Sequence, residues 1–269
     1  GVAAGGVSWP QGTVSDRSGT IWVANCGNST VTRMPGDAPG TAVGLNVGLN
    51  QPFDIATDAN GRVFVTGVGN SKLAILNPDG SQRALLDADQ LGLNRPMGIA
   101  ADSRGDMWIA NSGFVSLPCP DANFDLRDRG GSLSLVTAGG RPLTHAGTAF
   151  TGGGLTAPWG IAVDGDDNVW VSNFSHQRIS QFCGVRRRGC RPGGRAGDPI
   201  SPDGSGYAFD GLTRSTSVEI DPSGNVWATN NWKQAPVQTN PGGLQMVAFV
   251  GAAAPLRTPL IGPPVPLMR

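Results

Sequence analysis

Histidine and glutamate are nearly missing from this chain: its 269 residues hold two histidines, His145 and His176, and a single glutamate, Glu219. That scarcity bounds the chemistry, because a general base or a nitrogen-rich metal site has few side chains to draw on. Lysine is almost absent as well, with only Lys72 and Lys233 beside eighteen arginines, and charged residues of both signs make up 15% of the chain. The twenty basic and twenty acidic side chains cancel, so no overall field pulls the molecule toward nucleic acid. No apolar run approaches the roughly 20 residues that a membrane helix needs; the longest nearly apolar stretch, Met246 to Leu256, has 11. A serine nucleophile elbow, a phosphate-cradling glycine loop and a paired-carboxylate motif are all missing.

Cysteine is scarce too, and the spacing of Cys26, Cys119, Cys183 and Cys190 fits neither a redox CxxC motif nor a zinc knuckle. Cys183 and Cys190 flank a short loop and read as a disulfide. Cys26 and Cys119 both follow a second strand, on the same rim, and are expected to form another. Together they imply an oxidising location, extracellular or periplasmic.

What the chain does have is a repeat. Its clearest copy is LTAPWGIAVDGDDNVWVSN, Leu155 to Asn173. Five copies align on a shared aspartate: Asp16, Asp58, Asp102, Asp164 and Asp221. Six residues earlier stand Pro10, Pro52, Pro96, Pro158 and Ser215; three later, Gly19, Gly61, Gly105, Asp167 and Gly224; six later, Trp22, Phe64, Trp108, Trp170 and Trp227; nine later, Asn25, Gly67, Asn111, Asn173 and Asn230. Each copy predicts a strand, a tight Asp-Gly turn and a second strand rich in β-branched and aromatic residues. A third strand follows at residues 30–33, 72–76, 132–136, 178–181 and 245–249, and a weaker fourth precedes the next copy.

Repeats of this length with hairpin turns predict an all-β fold, a β-propeller of four-stranded antiparallel blades in one domain spanning 1–269. Five repeats are visible, so the ring has five blades, or six if one lies outside this sequence. The bulky slot six residues after the aspartate is expected to wedge each blade against the next. Residues 251–269 are Pro-rich and read as a closing strap, with ring closure pairing residues 1–8 with the last blade near 255–261.

Strings such as RPMGIAADSRGDMWIAN and APWGIAVDGDDNVWVSN resemble the NHL repeat and the related virginiamycin B lyase type repeat of secreted bacterial propellers, over nearly the whole chain from Val7 to about Phe249. The resemblance implies the fold and leaves function open, since that superfamily includes lyases, lactonases, sensor domains and RNA-binding modules. Its lyases use His and Glu at the funnel mouth with a divalent metal, and its lactonases use Glu, Asn and Asp ligands. No His and Glu pair stands here at that spacing, so no catalytic residue carries over. His176, in the loop after Asn173, is the remaining candidate base for a metal-assisted lyase or lactonase, and Ca or Mg at the axial mouth, held by Asp54, is the cofactor that reading implies.

The leading reading is a secreted binding module or assembly subunit that recognises a partner protein, a glycan or a small polar ligand at the funnel mouth. Four copies place a small residue, Gly12, Gly98, Gly160 or Ser217, two positions after the proline slot, and the second places Asp54 there. This break in the pattern marks a ligand-facing carboxylate or a cap on a neighbouring amide. Asn25, Asn111, Asn173 and Asn230 would assist it, and Phe53, Met97, Trp159 and Trp232 would form an apolar platform or pack between blades. Insertions at 112–130 and 231–242 are expected to crown the same rim. On the opposite rim, Arg186, Arg187, Arg188, Arg191 and Arg195 lie in and beside the Cys183 to Cys190 loop and suit an acidic partner. Nucleic acid fits poorly, because no aromatic is interleaved for base stacking.

Overall fold

A computed structural model describes residues 5–113, 130–232 and 246–256, with Asn231 and Trp232 described by backbone alone. Cys119, the bulk of both rim insertions, the Trp232 side chain and residues 257–269 of the strap lie outside that description. Five antiparallel sheets succeed one another along the chain. The first holds β1 (Pro10–Ser15), β2 (Ile21–Asn25), β3 (Thr30–Met34) and β4 (Val43–Leu45), and the second β5 (Pro52–Thr57), β6 (Val63–Gly67), β7 (Lys72–Leu76) and β8 (Gln82–Leu86). The third holds β9 (Pro96–Ala101), β10 (Met107–Asn111) and β11 (Ser132–Val136); the fourth β12 (Pro158–Val163), β13 (Val169–Asn173), β14 (Arg178–Phe182) and β15 (Tyr207–Ala208); the fifth β16 (Arg214–Ile220), β17 (Val226–Trp232) and β18 (Met246–Phe249).

Two sheets fall short of the expected four strands. In the third, single bridges from Phe150 to Leu133 and from Pro142 to Val136 stand where a fourth strand would run; Pro142 has no N–H with which to extend a ladder. In the fifth, the chain turns at Gly251, which has φ +64°, and leaves the sheet edge.

The repeated aspartate builds each turn. One carboxylate oxygen accepts the backbone N–H groups two and four residues on, as Asp16 does from Ser18 and Thr20 at 2.9 and 3.0 Å. The other accepts the indole N–H six residues on: Trp22 to Asp16 at 2.9 Å, Trp108 to Asp102 at 3.2 Å, Trp170 to Asp164 at 2.9 Å and Trp227 to Asp221 at 2.9 Å. Phe64 has no such donor. In its blade the Arg62 guanidinium takes the place, with Nε 2.6 Å from Asp58 Oδ2.

The wedge residues fill the spaces between blades. Trp22 packs among Ile55, Val63 and Val65 of the second blade, Phe64 among Ile99, Met107 and Ile109 of the third, Trp108 among Ile161, Val163 and Val169 of the fourth, and Trp170 among Val218, Ile220 and Val226 of the fifth. Burying one such ring stabilises the fold by on the order of 3 kcal/mol. The innermost strands lie side by side in the order β1, β5, β9, β12, β16, and β16 makes no comparable contact with β1. Among the described residues the ring is therefore open at this seam. Trp227 is 37% exposed there, whereas its four counterparts are at most 2% exposed.

Of the residues expected to pair in ring closure, 1–4 and 257–261 lie outside the described residues. Gly5 and Gly6 accept hydrogen bonds from Thr32 and Asn28 of their own blade. Residues 253–254 instead cross to the turns of the last two blades, with Ala253 N–H to Gly224 O at 2.9 Å and Gly165 N–H to Ala254 O at 3.0 Å.

Candidate functional site

Four of the five inner strands enter through a backbone kink that the sequence did not disclose. The residue before the repeat proline has a left-handed conformation in four blades, with φ of +46° at Trp9, +50° at Gln51, +48° at Arg95 and +49° at Ala157. Such angles are uncommon outside glycine. One bond recurs at all four, since the carbonyl accepts the amide just after the second strand: Cys26 N–H to Trp9 O, Val68 to Gln51, Ser112 to Arg95 and Phe174 to Ala157. The strand pairing bulges right after the proline in these four blades, and after Ser215, which stands in the proline slot, in the fifth.

Around that axis lies a cavity of about 290 Å³, lined by all five inner strands through Gln11, Phe53, Asp54, Gly98, Trp159, Thr216 and Glu219 among others. The small-residue slot is a steric requirement. A Cβ added at Gly98 would stand 2.5 Å from Trp159 O, and one at Gly160 2.7 Å from Ser217 Cα. Asp54 fits because its carboxylate reaches across to the next strand. Oδ1 accepts the Ile55 N–H at 2.8 Å and Oδ2 accepts the Ile99 N–H at 2.9 Å, which ties β5 to β9. Burial pushes its carboxyl up to about 6 despite these two donors.

Glu219 is the second acid of the cavity, partly open to solvent at the seam. Desolvation raises its carboxyl above the usual range, and the Asp54 charge raises it further. Its placement had a readable signal. The slot two before the repeat aspartate holds Val14, Ala56, Ala100 and Ala162 in the other copies and glutamate only here.

The other predicted site residues divide. Phe53 and Trp159 reach the cavity, their rings edge to face at 5.7 Å. Met97 is fully buried beneath them, in a cluster with Cys26, Val68, Ala157 and Phe174, so it packs between blades and is not part of an exposed platform. The four asparagines are buried and do not line the cavity. Each amide ties its own blade together: the carbonyl oxygens of Asn25, Asn111, Asn173 and Asn230 accept the N–H groups of Ser8, Asn94, Thr156 and Thr213, at 2.9 to 3.2 Å. His176 is exposed in the β13–β14 turn at φ +64°, and His145 is exposed with Nδ1 2.9 Å from Ala146 O. Neither lines the cavity.

Cys183 and Cys190 form the expected disulfide, the mark of an oxidising compartment. Cys26 is buried. No described helix is long and apolar enough to cross a membrane.

The fold and its axial cavity define a β-propeller. One of its repeats is of the NHL type: the NHL repeat model matches residues 155–182, which span β12 to β14. Among solved structures, a gluconolactonase from Xanthomonas campestris is 20% identical with a TM-score of 0.58, covering 93% of this chain and 77% of that one. A chain of a nidogen/laminin complex is 17% identical with a TM-score of 0.54, covering 82% and 72%. Kuenenia stuttgartiensis hydrazine synthase is 12% identical with a TM-score of 0.60, covering 92% and 64%. These likenesses extend to the fold, which serves very different activities. No curated protein matches the sequence significantly.

Proposed function

We propose that the axial cavity binds a small polar ligand bearing hydroxyl or ammonium groups, free or displayed by a glycan or partner protein, and that the molecule acts as a binding propeller outside the cytoplasm. One observation carries this reading: among the described residues two carboxyl groups, Asp54 and Glu219, and no cationic side chain line a cavity to which all five inner strands contribute. Carboxylates accept from hydroxyls and attract ammonium groups, while Phe53 and Trp159 supply apolar and aromatic faces for a ring or a cation.

Shared fold with a gluconolactonase supports a lactonase as the second reading. The donor set fits a resident divalent metal poorly. Hard cations need several converging oxygens, both Asp54 oxygens already accept backbone amides, and no group of three or more His, Cys, Asp or Glu side chains gathers among the described residues. Neither histidine lines the cavity, where a base would be needed.

The test is a thermal-shift panel of neutral sugars, amino sugars, amines and sugar lactones, with and without Ca²⁺ or Mg²⁺, followed by calorimetry on any hit. An amine or amino sugar is expected to bind, and Glu219→Gln to weaken it at least tenfold. Equal affinity in the variant would contradict the binding reading, and metal-dependent turnover of a lactone would establish the second.

A further inference from the structure

The loop after β14 is the most concentrated charge on the molecule. Five arginines fall between Arg186 and Arg195 and all five are exposed, in a chain whose net charge is zero. The structure sorts them into two groups. Arg186 Nε lies 2.8 Å from Asp167 Oδ2, and Arg188 Nη1 lies 3.1 Å from Asp166 Oδ1. Asp167 is itself buried and also accepts both the N–H and the hydroxyl of Ser103 in the neighbouring blade, at 3.0 and 2.6 Å. These two arginines therefore anchor the loop to the propeller body. Among the described residues, no carboxylate pairs with the side chains of Arg187, Arg191 or Arg195.

Those three stand on a fixed frame. The Cys183–Cys190 disulfide closes the loop, and its base is tied by Cys183 N–H to Asp198 O and Gly197 N–H to Cys183 O, both at 2.8 Å. Arg187 has φ +56° between its two anchored neighbours. A partner meeting this loop has little backbone left to order, which lowers the cost of association.

The partner class follows from what accompanies the charge. Protein interfaces centre on apolar and aromatic anchors, and the one large apolar residue inside the disulfide loop, Val185, packs inward against the cluster around Trp108. Single-stranded nucleic acids need aromatic faces for stacking, and residues 184–196 contain none. Sulfate and carboxylate groups on a polysaccharide need only guanidinium donors, which grip them in pairs of hydrogen bonds. We propose that Arg187, Arg191 and Arg195 form a docking surface for an anionic polysaccharide, on the rim opposite the axial cavity.

Heparin serves as the probe. The wild-type protein is expected to be retained on immobilised heparin at low ionic strength and released as salt screens the contact. The triple variant Arg187→Glu, Arg191→Glu, Arg195→Glu should bind at least tenfold more weakly, with its melting temperature unchanged because none of the three anchors the loop. Asp54→Asn should bind heparin like wild type, which separates this surface from the axial site. Equal retention of the triple variant, or a single-stranded DNA that competes better than heparin, would overturn the proposal.

Discussion

One carboxylate recurs in five equivalent turns, and the balance of burial against hydrogen bonding sets how Asp102 and Asp221 titrate. In Asp102, burial dominates and pushes the carboxyl up to about 6. In Asp221 the indole N–H of Trp227 and the amides of its own turn prevail and hold it down to about 2, because among the described residues no further blade packs on the last one to exclude water. The Phe64 blade shows the same economy in another form. A buried carboxylate must keep its hydrogen bonds, so where the ring offers no N–H, Arg62 supplies one. Removing it by Arg62→Ala is expected to cost about 2 kcal/mol, against about 1 kcal/mol for Trp22→Phe, since Arg62 meets the carboxylate as a cation through two nitrogens and the indole as a single neutral donor. Urea denaturation measures both. Adding Phe64→Trp to Arg62→Ala should recover part of the loss; strictly additive effects would show that the arginine does not replace the indole.

Strands and turns were legible because five copies in register make each slot its own control. Four of the five wedge aromatics, the tight turns and the third strands stand where the repeat placed them; Trp227, at the seam, wedges against no described blade. Side-chain partners were less legible. A spacing of six residues does not reveal that the indole N–H returns to the aspartate, nor does Asn at a strand end reveal that its amide faces its own blade. Asp54 was readable as a break in pattern, but its reach to Ile99 depends on how closely β5 approaches β9. Asp167 illustrates the element scale best. It replaces the turn glycine, keeps positive φ at +66°, and joins three partners: Ser103 N–H, Ser103 Oγ and Arg186. Asp167→Gly preserves the backbone conformation and removes all three contacts. We expect a loss of about 2 kcal/mol in urea denaturation, together with faster tryptic cleavage at Arg186 to Arg188; wild-type values in both would show that the carboxylate does not join the two blades.

For the whole molecule, five blades converge on one acidic cavity, and an open seam exposes Trp227 and part of Glu219 beside it. Ionising a buried carboxyl opposes folding, so the raised Asp54 contributes stability that is full below the ordinary carboxylate range and is lost as pH rises through about 6. Glu219 acts in the same sense, because its carboxyl is also raised and Asp54 is one cause. Carbon-detected NMR titration of the side-chain carboxyls, in wild type and in Asp54→Asn, reads this convergence directly. The account predicts an Asp54 midpoint near 6 and a raised Glu219 midpoint that falls when Asp54 becomes asparagine. Ordinary midpoints for both, or a Glu219 midpoint indifferent to residue 54, would contradict it.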